Sequence, residues 1–302
     1  MTTCVLIRNP AARHRLDDVA LAAAIDVLRS GGWDVTLAET AREGHATEIA
    51  RDAAERGIDV VVANGGDGTI NEIINGIAKT ATALAVLPGG TANVWAREIG
   101  ISNKPVEAMR AAVTGERRQV DLGSANGRYF LLMAGIGFDA RIVPAVSSVW
   151  KRRLGSASYV VSGAREIFTA QHRRASIVID GDASDTDLFW MIIGNTRSYG
   201  GITDIMYRAH VDDGLLDVGI MHRGGVRRVI VDGIRVLRKK HDDSRNIDYV
   251  HARTIEITTS GIAIQVDGEA AGETPVRFEV VPLALNVIVP RGLRSPLFVT
   301  RP

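Results

Sequence analysis

The sequence predicts an α/β domain followed by an all-β one: a doubly wound parallel sheet over residues 1–123, then an antiparallel β-sandwich over residues 124–290. Three observations carry this. Short β-branched runs alternate with helical periodicity through the first third, two glycine loops each follow one of those runs, and from about residue 119 the texture changes to many short strands.

Residues 5–7 (Val-Leu-Ile) open as a strand. Leu16, Val19, Ala20, Ala23, Val27 and Leu28 then recur at helical spacing, and Gly31-Gly32 ends that helix. Residues 35–38 predict a second strand and 45–56 a second helix. The run at 58–63, Ile-Asp-Val-Val-Val-Ala, is the kind a parallel strand shows when both faces are covered. It feeds Gly65-Gly66-Asp67-Gly68-Thr69, after which Ile70, Ile73, Ile74 and Ile77 mark a third helix. Residues 83–87 supply another strand, which feeds Pro88-Gly89-Gly90-Thr91-Ala92-Asn93. Strands are expected next at 128–133, 176–179, 188–193, 215–221, 254–258, 262–266, 277–281 and 285–289, with helices at 157–170 and 226–240. The domain boundary is expected near 120–127, which ends in the turn signal Asn126-Gly127. Residues 291–302 carry little pattern and are expected to pack back on either domain.

Bulk composition excludes several classes. At 302 residues and 46% hydrophobic content the chain holds ample core, and a net charge of +1 gives no field that calls for nucleic acid. The single cysteine, Cys4, lies in an apolar run, which excludes an intrachain disulfide and fits a reducing compartment. No basic-then-apolar leader and no apolar stretch of about 20 residues is present, so a cytosolic chain is expected.

The two glycine loops stand at the ends of two parallel strands, where open α/β sheets bind ligands. A loop that opens a helix offers free backbone amides to an anion, and glycine lets a phosphate approach closely. Asp67 is placed to organise a cation, a phosphate or a ribose hydroxyl, and Thr91 and Asn93 to donate to phosphate or cap the next helix. Arg8-Asn9-Pro10-Ala11-Ala12-Arg13 is a third loop at the same edge. Asp212-Asp213-Gly214 is an acidic turn, and Asp121 opens the inter-domain segment with either a structural or a cation-supporting role. Lys151-Arg152-Arg153, after the apolar run 142–150, and the cluster Arg235, Arg238, Lys239 and Lys240 suit an anionic membrane surface, with a solvated helix face as the plainer alternative for the second.

Five motifs occur in one order: GGDGTINEIINGI from Gly65, the PGGTANVWARE segment from Pro88, GIGFDA from Gly135, DDGLLDV from Asp212 and VDGE from Val266. In this the chain resembles the bacterial diacylglycerol kinase and YegS-like lipid kinase family, relatives of the sphingosine kinases, over nearly its whole length. The resemblance implies an N-terminal ATP-binding domain and a C-terminal lipid-binding sandwich. Its nucleotide contacts fall here on Asn9, Pro10, Ala11, Ala12 and Arg13, on Thr40, on Gly65, Gly66, Asp67, Gly68, Thr69, Ile70, Asn71 and Glu72, and on Thr91. Its structural Mg²⁺ site falls on Asp213 with the carbonyls of His210 and Leu215. Its general base falls on Glu269; Asp67, the second catalytic carboxylate expected here, is read from its loop as the cation or phosphate organiser.

The chain departs from the family pattern at Ala11-Ala12 in the first loop, at Val94, where Gram-positive diacylglycerol kinases carry an aspartate, and at Ile202 and Tyr207 before the acidic turn. The expected activity is ATP- and Mg²⁺-dependent phosphorylation of a lipid hydroxyl, with diacylglycerol the leading acceptor. Phosphatidylglycerol and sphingoid bases stay open as acceptors, and an NAD kinase or a non-catalytic nucleotide- and lipid-binding regulator stand as rivals. Expected partners are the lipid and, transiently, the inner membrane surface; a homodimer stays open.

Overall fold

The computed structural model describes residues 1–14, 16–137, 173–201, 203–222 and 247–299. The helices expected at 157–170 and 226–240, both basic clusters, Ile202 and the end of the GIGFDA motif lie outside the described residues.

The N-terminal layer runs β1 (Thr2–Arg8), α1 (Asp18–Ser30), β2 (Trp33–Glu39), α2 (His45–Glu55), β3 (Val60–Gly65), α3 (Asp67–Ile77), β4 (Ala83–Pro88), α4 (Val94–Glu98) and α5 (Pro105–Thr114). Strands pair in the order β2, β1, β3, β4, all parallel. The chain moves one way from β1 to β2 and the other way from β2 to β3, so right-handed crossovers put α1 on one face and α2 and α3 on the other. That reversal opens a crevice beyond the ends of β1 and β3, where the first glycine loop starts. Every residue of β3 and β4 is buried, which is why both read as unbroken apolar runs.

Local chemistry explains both ends of α1, which Gly31 closes. Asp17 caps α1, its carboxylate accepting from the Ala20 amide at 2.7 Å. The buried stripe of α1 is Leu21, Ala24, Ile25 and Leu28; Val19, expected on that stripe, is 81% exposed. It precedes Leu21 by two residues, about 200° around the helix, and so lies on the opposite face. Helix α5 carries no signal beyond Pro105 in its first turn and the small buried face Ala108, Met109 and Ala112, and the apolar spacing alone did not mark it.

The remaining strands are β5 (Glu116–Ala125), β6 (Arg128–Phe130), β7 (Met133–Gly137), β8 (Arg173–Ile179), β9 (Asp182–Gly194), β10 (Ser198–Tyr199), β11 (Thr203–Asp204), β12 (Leu216–His222), β13 (Ile247–Ala252), β14 (Thr254–Ile257), β15 (Ala263–Val266), β16 (Glu269–Glu273) and β17 (Val276–Val289). They pair with one another antiparallel around a second core in which Phe130 meets Phe278 edge-on at 6.5 Å. The single strand expected at 128–133 is two. It breaks at Leu131 and Leu132, whose amides donate to the Asp267 carboxylate instead of to a neighbouring strand. The strands expected at 277–281 and 285–289 are one, β17, with an irregularity between Val281 and Leu285.

Strand β17 pairs antiparallel with β5 along almost its whole length and parallel with β4 through Asn286 and Val287. The two layers are therefore joined by two long shared strands. The tail also binds both: Ser295 Oγ donates to the Glu98 carbonyl, the Val211 amide donates to Leu297, and the Arg118 guanidinium lies 4.8 Å from the Phe298 ring centre. Cys4 is buried in the first core, and burial pushes its thiol up to about 12.

Candidate active site

Three loops meet at the crevice. The Asn9 amide donates to the Asn64 carbonyl at 2.9 Å, its side-chain Nδ2 donates to Thr69 Oγ1 at 3.0 Å, and its Oδ1 accepts from the Ala11 amide at 2.9 Å. Asn9 thus folds its own turn and ties it to the first glycine loop. From the same loop the His14 amide donates to the Gly89 carbonyl and the ring Nδ1–H to the Gly90 carbonyl, each at 3.0 Å. Arg13 and Thr91 are exposed at this edge, and the Thr40 amide donates to the Arg8 carbonyl at 2.9 Å.

The glycines answer to one another first. A Cβ on Gly90 would stand 2.5 Å from the Gly66 Cα, and one on Gly66 would stand 3.2 Å from the Gly90 Cα, so the loops press backbone on backbone. A Cβ on Gly65 would strike Thr69 Oγ1 at 2.4 Å. None of these three has a left-handed φ; closeness, not turn conformation, excludes a side chain.

Asn93, expected to cap α4, has a φ of 47° and spends its side chain on its own loop: Oδ1 accepts from the Gly90 amide at 2.8 Å and Nδ2 donates to the Gly90 carbonyl at 2.9 Å. Asp67 caps α4 instead, Oδ1 accepting from the Val94 amide at 2.8 Å. Burial pushes the Asp67 carboxyl up, against the pull of these amides. Of the other motif residues, Ile70 is buried in the core, and Glu72 Oε2 accepts from the Ala46 amide at the start of α2 at 3.0 Å.

Glu269 arrives from the second layer. Asp267 and Gly268, with φ of 48° and 84°, form the tight turn between β15 and β16, and Glu269 is the first residue beyond it. Its Oε1 lies 2.7 Å from where a Cβ on Gly68 would stand, so the acidic strand end sits on the glycine loop. Its Oε2 accepts from Arg128 Nη2 at 2.6 Å.

Asp267, legible in the sequence only as a turn residue, is tied down by four hydrogen bonds. It accepts from the amides of Leu131, Leu132 and Met133 at 2.9–3.0 Å and from Asn71 Nδ2 at 2.8 Å. Burial pushes its carboxyl up to about 6 against these four donors. Arg128, Asn71 and Asp267 thus join helix α3 to the β15–β16 turn; the spacing of motifs gave no sign that Arg128 belongs with them.

Asp121, Asp213 and Asp217 gather about the acidic turn, beside Asp212. Asp121, fully buried, accepts from the amides of Gly214 at 2.6 Å and Leu283 at 2.7 Å. Asp213 Oδ1 accepts from the Leu215 amide at 3.0 Å, and Oδ2 lies 3.8 Å from His210 Nδ1. Burial pushes Asp121, Asp213 and Asp217 all up, and Asp213 adds to the rise at Asp121 and Asp217. Asp217 Oδ1 accepts from the Tyr249 hydroxyl, while its enclosed Oδ2 has no hydrogen-bond partner. Among the described residues no three Asp, Glu, His or Cys side chains form a metal cage. Crowded oxygen donors of this kind nevertheless fit a hard divalent cation if backbone carbonyls, such as those of His210 and Leu215, complete the set.

Two family models divide the chain: the diacylglycerol kinase catalytic domain matches residues 3–125, and the YegS C-terminal NAD kinase β-sandwich-like domain matches residues 133–289. The chain belongs to the bacterial diacylglycerol kinase and YegS-like lipid kinase family. It is 29% identical to a diacylglycerol kinase of Bacillus subtilis (strain 168), covering 95% of this chain and 96% of that one. A probable YegS-like lipid kinase of Chromohalobacter salexigens is 30% identical over 89% of this chain and 88% of its own. The fold matches a putative diacylglycerol kinase from Bacillus anthracis str. Sterne with a TM-score of 0.83 at 24% identity, over 97% and 96% of the two chains. The expected resemblance and the two-layer fold are both borne out. Among the described residues no helix is long and apolar enough to cross a membrane.

Proposed function

We propose that this lipid kinase transfers the γ-phosphate of ATP to a lipid hydroxyl, with diacylglycerol the first acceptor to test and phosphatidic acid its product. The observation that carries the reading is Glu269 Oε1 standing against Gly68, which puts a carboxylate from the acceptor domain on the loop suited to phosphates. In the step, Glu269 accepts the hydroxyl proton, the lipid oxygen bonds to the γ-phosphorus and the bond to the β-phosphate oxygen breaks, releasing ADP. Gly66 and Gly68 leave the loop backbone bare of side chains toward the phosphates. Asn9 and His14 hold the three loops in one register.

Mg²⁺ supplies charge neutralisation when bound. Asp67 is our candidate to organise it near the phosphates, and Asp213 with the His210 and Leu215 carbonyls our candidate for a structural ion. The same reading makes the chain cytoplasmic, working at the inner face of the membrane that holds its substrate. The test is a labelled-phosphate assay over diacylglycerol, phosphatidylglycerol, a sphingoid base and NAD, with products identified by mass spectrometry. Loss of less than about tenfold in Glu269→Gln, about 1.4 kcal/mol, sinks the base assignment. Transfer to NAD alone sinks the lipid acceptor.

A further inference from the structure

Glu269 reaches the glycine loop as a partly exposed side chain at a strand end, a setting that by itself leaves a carboxylate several rotamers. One guanidinium restricts it. Arg128 Nη2 donates to Glu269 Oε2 at 2.6 Å and to Asn71 Oδ1 at 3.1 Å. The Asn71 amide has its other end committed, Nδ2 donating to the Tyr129 carbonyl at 3.1 Å and to Asp267 Oδ2 at 2.8 Å. Asp267 in turn fixes the turn that carries Glu269. The backbone of Glu269 through Asp267, and its carboxylate through Arg128, are therefore both referred to Asn71, a residue of the helix that the glycine loop opens.

We infer that Arg128 is a positioning residue for phosphoryl transfer: it occupies Glu269 Oε2, leaves Oε1 turned to Gly68, and through Asn71 fixes that oxygen relative to the phosphate loop. The inference rests on the reading of Glu269 as the base. Its physical ground is that a charge-assisted bond of this length is among the stronger ones, while misplacing a reacting group by about 1 Å costs on the order of 10²-fold in rate. Arginine suits the task because the two N–H groups of Nη2 diverge in a fixed plane toward the two acceptors, whereas a lysine ammonium is a freely rotating point donor.

The test measures kcat and KM for ATP in Arg128→Ala, Arg128→Lys, Glu269→Gln and the Arg128→Ala/Glu269→Gln double variant, with a thermal melt of each. Arg128→Ala is expected to lower kcat by about 10- to 100-fold with KM for ATP within about twofold and the melt little changed, since a partly exposed ion pair contributes little to stability. Arg128→Lys is expected to recover part of kcat, and in the Glu269→Gln background Arg128→Ala is expected to cost less than about threefold more, because residues that act as a unit are non-additive. Wild-type kcat in Arg128→Ala, a loss expressed in KM instead, no recovery in Arg128→Lys, or a loss that multiplies that of Glu269→Gln overturns the inference alone. Near wild-type turnover in Glu269→Gln overturns the base assignment and this inference with it.

Discussion

Substituting alanine for Gly68 separates packing from chemistry, because the two respond in opposite directions. Gly68 lies in the first turn of α3, and its φ is not left-handed, so an alanine backbone fits there unstrained. Replacing a helical glycine by alanine is worth roughly 0.5–1 kcal/mol to the fold. The added Cβ, however, would stand 2.7 Å from Glu269 Oε1, where ordinary contact begins at 3.4 Å. The carboxylate must retreat by about 0.7 Å, the difference between those two distances, and Arg128 holds its other oxygen at 2.6 Å. A flexible side chain can make that move cheaply, so the fold is expected to keep its melting temperature or gain slightly. Since a misplacement approaching 1 Å costs on the order of 10²-fold, we expect kcat to fall about 10- to 100-fold, about 1.4–2.7 kcal/mol. The assay is steady-state transfer at saturating lipid with ATP varied, beside a thermal melt. An unchanged kcat refutes the argument that Glu269 Oε1 works at this point of the loop. A melt lowered by several degrees refutes the argument that the Glu269 side chain makes room cheaply.

Three further outcomes test the surrounding groups. Asp67→Ala should lower stability by about 1 kcal/mol through loss of the α4 cap, whereas Asp67→Asn keeps an acceptor and should melt near wild type while losing at least about tenfold in turnover, if the charge organises a cation; equal melts for both would dismiss the cap. Asp213→Asn, measured by thermal shift, should be at least as stable as wild type without Mg²⁺, because it relieves crowding with Asp121 and Asp217, and should lose the stabilisation that Mg²⁺ gives the wild type. Asp267 has its carboxyl raised to about 6 from an unfolded value near 4, so the folded state binds its proton more tightly. Its contribution is therefore full below about pH 4 and is lost as pH rises through about 6. The denaturation midpoint of wild type minus that of Asp267→Asn should fall over that window, and a flat or rising difference would contradict it.

Most of the parallel layer was readable because its strands and first three helices announce themselves locally: β3 and β4 are buried on both faces and so open on apolar runs, and α1 closes on Gly31-Gly32. Where local signals conflict with tertiary demand, the reading slipped. Strand β16 begins Glu-Ala-Ala-Gly, a poor strand former, yet it pairs with β15 because the Asp267-Gly268 turn hands it back along that strand. Strand β13, Ile-Asp-Tyr-Val-His-Ala, buries only Ala252 fully and lacks a clean two-residue alternation, although it closes on β12 through six registered pairs.

The site divides along the same line, by distance in sequence. Gly65, Gly66 and Gly90 are glycines for reasons that lie within one pair of neighbouring loops, and the motif shows them. Gly68 is one because of Glu269, about two hundred residues away, and no spacing rule links the two. The same holds for Asn71 with Asp267, 196 positions apart, and Arg128 with Glu269, 141 apart. Asp267-Gly268-Glu269 is legible as a turn followed by an acid, but the turn leaves open where each carboxylate goes. Only when β7 is laid beside β15 do three consecutive amides at Leu131, Leu132 and Met133 converge on Asp267, and it is Arg128, from β6, that then holds one oxygen of Glu269 while the other faces the loop. On the proposed reading the base must be referred to both domains, and the side chains that would do this, Arg128 and Asn71, have partners that no local pattern names.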